Sequence, residues 1–191
     1  MNQDYRTPPD KTGMERIEHK IRFTGTLGLV LFAVAVGLAY LLLPAFIGFP
    51  LELAERLAFA ARASAVVLFC VLVAVGMVAT IRRSSPEDIG GSAAGPPSEK
   101  LAIYVAFLQN TLEQAVLAVG FYFAFASLVV GAWLSLIPVS AAFFVVGRIL
   151  FLRGYRRGAE GRALGMVLTM MPAIVGYPVV FILILTNAIG S

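Results

Sequence analysis

Asn110, Glu113 and Gln114 interrupt the apolar stretch FLQNTLEQAVL at residues 107–117. An amide or a carboxylate in hydrocarbon is costly, so such groups face a bundle interior, a polar cavity or a subunit interface. Spacings of three and four predict that all three side chains lie on one face of a helix. A second polar set occurs in GRILFLRGYRRGAEGR (147–162), where Arg148, Phe151 and Tyr155 recur at i, i+3 and i+7 along one helix face. Arg148 needs a counter-charge. Glu113 is the one acidic residue inside the last three apolar segments, so it is predicted to face Arg148 or Arg82. Two readings follow. The set is either a buried ion pair that fixes helix register, or a polar cavity for an anionic ligand held by the surplus cations Arg82, Arg83, Arg156, Arg157 and Arg162.

Other polar residues carry less chemistry. Arg153, Arg156 and Arg157 fit snorkelling at a membrane boundary. Tyr155 is either an interfacial belt residue or a hydroxyl donor into the cavity. His19, in the charged stretch MERIEHKIRF, is expected to be exposed or interfacial and not a metal ligand, because ligands come in clusters. Cys70 is the single cysteine, which excludes an intramolecular disulfide. The sequence contains no phosphate loop, paired carboxylates, metal cluster or Ser/His/Asp set, so any reactive group must come from a bound molecule.

The elements that position these residues follow from composition. Of 191 residues, 59% are hydrophobic and 14% charged, which points to an integral membrane protein. Spanning the hydrocarbon takes about 20 apolar residues as a helix. Five spans are predicted, at about 23–46, 60–81, 103–128, 132–153 and 164–187, with a break around Ser127 to Ser135 where Gly131 and Trp133 suggest an interfacial turn. Residues 1–22 form a polar segment before the first span, and residues 84–100, SSPEDIGGSAAGPPSEK, read as a flexible connector. The pair Ala33 and Gly37 would permit close helix contact. With five spans, the basic groups at 6–22, 82–100 and 148–162 fall on one face, predicted to be cytoplasmic together with the N-terminus. Arg56 and Arg62 are the exceptions. The placement of the +4 net charge argues for a membrane topology and against nucleic acid.

QNTLEQ, GRILFLRGY and EGRALG in this order resemble the MAPEG family, membrane-associated proteins in eicosanoid and glutathione metabolism. The similarity rests on Asn110 and Glu113 near the start of one helix, then Arg148, Phe151, Gly154 and Tyr155, then Arg162. Arg82 and Arg83, followed by Gly95, Pro96 and Pro97, also fit. The resemblance covers residues 60–188 and leaves span one as an extra N-terminal helix. It implies an all-α four-helix bundle that assembles as a homotrimer, with glutathione bound by Asn110, Glu113, Arg148, Tyr155, Arg82 and Arg83. Arg162 would then stabilise the glutathione thiolate, and a lipophilic substrate would arrive from the lipid. A guanidinium near a thiol favours the nucleophilic thiolate.

The chain departs from that pattern at Ala106, where an arginine is usual, and at Gln114 and Phe151, where tyrosines are. The expected function is a glutathione-dependent transferase or peroxidase acting on lipophilic electrophiles or hydroperoxides, in a bacterial inner membrane and without a metal. The alternative is a non-catalytic lipid-binding or scaffold protein of the same fold. A channel or transporter subunit ranks last, since spans one and five carry almost no polar side chains.

Overall fold

The computed structural model describes residues 11–190; the first ten residues, including Arg6 of the N-terminal basic group, lie outside this range. Within it the chain is helical, with no strand. The long helices are α1 (Lys11–Leu42), α2 (Leu53–Ser84), α3 (Glu99–Leu128), α4 (Leu136–Gly154) and α5 (Gly158–Gly190). Four stretches are long and apolar enough to cross a membrane: Lys11–Ala45, Leu53–Ser84, Glu99–Leu128 and Gly131–Ala188. The last contains both α4 and α5. The expected break after Ser127 appears as the end of α3 at Leu128 and a short 3-10 turn, Gly131–Ser135, entered through Gly131 at φ 64°.

Glycine lets α5 fold back along α4. A Cβ on Gly165 would lie 2.2 Å from the Phe151 backbone nitrogen, and one on Gly154 would lie 2.0 Å from the Gly161 carbonyl oxygen. Neither neighbour can move cheaply. The two helices therefore touch backbone to backbone, which brings the start of α5 beside the end of α4. The pair Ala33 and Gly37 does not serve this purpose: both are exposed, and nothing lies within 4 Å of a Cβ built on Gly37. Close approach is made instead by Gly28 of α1 and by the glycines of the α4–α5 hairpin.

Aromatic side chains fill the middle of the bundle. Phe121, Tyr122 and Phe125 of α3 pack with Phe144 of α4 and Leu134 of the preceding turn, all at most 2% exposed. Gly176 of α5 leaves room for the Phe121 ring, whose Cε2 would be 2.3 Å from an added Cβ. Tyr177 donates to the Leu117 carbonyl at 3.0 Å, fixing α5 on α3.

The connection between α2 and α3 is pinned at both ends. Asp88 is buried, and it accepts from the Ser98 N–H at 2.8 Å and the Ser98 hydroxyl at 2.7 Å. These bonds, the backbone one first, hold its carboxyl below the usual aspartate range. Ser98 in turn caps α3 by accepting from the Leu101 N–H at 3.3 Å. The start of α3 is thereby tied to the end of α2, at the end of the bundle where α4 stops and α5 begins.

Candidate functional site

The two polar sets of the sequence meet at that end of the bundle, but not as an ion pair. Arg148 is 3% exposed. Its Nη1 donates to Asn110 Oδ1 at 2.7 Å and its Nε to Thr169 Oγ1 at 3.1 Å, while the Thr169 hydroxyl donates to the Gly165 carbonyl at 2.8 Å. The guanidinium carbon also lies 4.7 Å from the centre of the Phe151 ring and 5.8 Å from that of Phe144. An amide, a hydroxyl and two ring faces thus replace the expected carboxylate.

The pairing expected of Glu113 with Arg148 or Arg82 is therefore corrected. Glu113 is exposed and accepts from Gln109 Nε2 at 3.1 Å, four residues back on the same helix. Arg82 instead donates to Ser92 at 2.9 Å in the α2–α3 connection. The reason is angular. Successive helical residues differ by about 100°, so Glu113 and Gln114 flank Asn110 on opposite sides and point to different neighbours. Gln114 turns into the core, 6% exposed, and Glu113 turns outward.

Asn110, Glu113, Tyr155 and Arg162 line one cavity of about 480 Å³ between α3, the end of α4 and the start of α5. That volume suits a small-molecule site. Arg162 lies over the Tyr155 ring at 4.8 Å and faces Phe151 at 6.0 Å, and among the described residues no carboxylate pairs with it. Phe151 therefore has two guanidiniums within 6.0 Å of its ring centre, the buried Arg148 and the cavity-lining Arg162. An aromatic face can serve both cations, whereas a hydroxyl at this position would add a polar contact.

The remaining candidates lie elsewhere in the single chain. Arg148 sits behind the cavity wall, Arg82 borders a small separate pocket with Asp88 and Ser92, and Arg83 is exposed. Arg153 and Arg156 line another cavity, of about 530 Å³, with Lys100 and Tyr104. Of the departures, Ala106 and Phe151 present apolar surface to the cavity, and Gln114 does not reach it. His19 is exposed, and Cys70 is half-buried in the core.

Several contributors were missed from sequence, among them Thr169, Gln109, Met166, Ile21 and Val167. Thr169 interrupts the apolar stretch MVLTMMPAIV as Asn110 interrupts its own, a signal of the same kind. Ile21 of α1 and Val167 of α5 also line the cavity, and no local pattern distinguishes them from lipid-facing residues.

A bundle of long apolar helices defines an integral membrane protein, with a cavity lined by both polar and apolar side chains near one end. A family model described as the MAPEG family matches residues 57–183, and the chain belongs to that family. No curated protein and no solved structure matches it.

Proposed function

We propose that the chain is a glutathione-dependent membrane transferase or peroxidase acting on lipophilic electrophiles or hydroperoxides, and that the Asn110–Glu113–Tyr155–Arg162 cavity is its glutathione site. The observation that carries this reading is Arg162, a guanidinium facing the cavity without a carboxylate partner. An unneutralised cation over a small-molecule cavity favours an anion, and here the anion is a thiolate.

The donor set suits glutathione in part. When bound, glutathione supplies the thiol that attacks an electrophile or reduces a hydroperoxide. Glu113, paired only with the neutral Gln109, offers a carboxylate to the ligand's ammonium group. Asn110 spends its carbonyl on Arg148, which leaves its amide N–H groups for a ligand carboxylate. Arg148 acts one step back, holding Asn110 in orientation. Arg162 keeps the sulfur deprotonated, and Tyr155 holds Arg162 through its ring face.

One cation among the cavity-lining residues is too few for a thiolate and two carboxylates. A homotrimer would supply the remainder, with Arg82 and Arg83 of a neighbouring copy as carboxylate clamps. Glu113 supports such an assembly: it is exposed about three turns beyond residue 103, beside the exposed Leu112 and Val116. A cavity-lining carboxylate left open toward lipid is costly, so another subunit covering this side of the cavity removes the penalty. We read α1, α2, α3, α4 and α5 as five spans with the N-terminus and the site on the cytoplasmic side of a bacterial inner membrane. The basic residues at the same end of the bundle support that orientation.

Purified protein in nanodiscs is expected to conjugate glutathione to lipophilic electrophiles or to reduce lipid hydroperoxides. Arg162→Ala should lower kcat roughly a hundredfold, the scale for losing one charge-stabilising donor. Absence of both activities in the unmodified protein would favour the lipid-binding or scaffold alternative.

A further inference from the structure

We propose that α1, which precedes the family region, completes the ligand cavity, and that its Ile21 sets the length of the apolar substrate moiety the cavity accepts. This rests on the reading of that cavity as the glutathione site. Helix α1 runs parallel to α5 and is fastened at three levels. At the cationic end, Arg16 Nε and Lys20 Nζ both donate to the Glu160 carboxylate, at 3.2 and 3.0 Å. Deeper, α1 presses on α5 at Gly28, where an added Cβ would lie 2.2 Å from Val167 Cγ1. Further along, Phe32 meets Phe143 of α4 edge to face, with ring centres 5.4 Å apart.

Ile21 falls between the first two fastenings, one residue after Lys20 and two turns before Gly28, and it lines the cavity. The cavity then has two sides. The polar groups come from α3, the α4–α5 turn and the start of α5, whereas Ile21, Met166 and Val167 form an apolar wall. A moiety attached to the glutathione sulfur near Arg162 would grow toward that wall. Ile21 is β-branched and stiff at χ1, and it stands half-exposed at the edge of the cavity between the surface ion pairs to Glu160 and the Gly28 contact, so it forms a stop at that edge. Val167 belongs to both the α1 contact and the cavity lining, so the seating of α1 and the shape of the wall are linked.

The test is calorimetric binding of glutathione and of S-alkylglutathiones of increasing chain length to the full chain in nanodiscs. In Ile21→Trp the gain in affinity with chain length should stop earlier, with the longest ligand about tenfold weaker, while glutathione itself stays within about twofold of the unmodified protein. Ile21→Ala should shift the limit to longer chains. The Arg16→Ala/Lys20→Ala variant, which leaves the wall residues intact, should flatten the length dependence by freeing the end of α1. Identical length profiles in all variants, with glutathione affinity retained, would overturn the role of α1. Failure of the unmodified protein to bind glutathione or any S-alkylglutathione would overturn the glutathione reading and this inference with it.

Discussion

Arg148 is a buried cation with no anion beside it among the described residues, and neutral groups surround it. Asn110 and Thr169 accept from it, and the Phe151 ring lies against it. Removing one acceptor leaves charged donors unsatisfied, whereas removing the charge leaves an ordinary apolar contact. Asn110→Leu should therefore destabilise the protein by about 1.5–3 kcal/mol, and Asn110→Leu/Arg148→Met should recover most of that loss, as read from thermal unfolding in detergent. Equal destabilisation in the single and double variants would contradict this account of Arg148. The sequence marked both residues, because polar groups in apolar segments stand out. It could not pair them, since helix periodicity orders residues on one helix and is silent about partners on another. The same limit sent Glu113 toward Arg148 in the expectation and toward Gln109 in the structure.

Helices were more legible than their contacts. Apolar length and the Ser/Gly/Pro-rich connection mark out the helical segments, and Gly131 with Trp133 marked the turn before α4. What distinguishes one glycine from another is the neighbour across the interface, and that is a tertiary fact. Gly165 has the Phe151 backbone nitrogen 2.2 Å from where its Cβ would be, and Gly37 has nothing within 4 Å. Gly165→Ala should cost about 1–3 kcal/mol by overpacking and should also disturb the cavity, since Phe151 lines it. Gly37→Ala should be neutral or stabilising by up to about 1 kcal/mol through helix propensity. Comparison of unfolding midpoints in one detergent checks both, and a reversed order would contradict the packing described for the α4–α5 hairpin.

In the whole molecule, family and helical architecture were readable because three short motifs kept their order along the chain, and a family match over residues 57–183 agrees. Four of the candidate site residues were placed together. Asn110, Glu113, Tyr155 and Arg162 surround one cavity, while Arg82 and Arg83 stand apart from it within a single chain. In the proposed homotrimer the site is completed between copies, and contacts made across a symmetry axis cannot be read in full from one sequence. The contribution of α1 was illegible for a related reason: Ile21 lies next to the polar segment and looks like any other residue at the start of a membrane helix. The central claim is that the cavity under Arg162 binds glutathione, and isothermal calorimetry in nanodiscs tests it most directly. The unmodified protein is expected to bind, and Arg162→Ala to bind at least about tenfold more weakly, a loss of about 1.4 kcal/mol. Absence of binding in the unmodified protein, or equal affinity in Arg162→Ala, would contradict it.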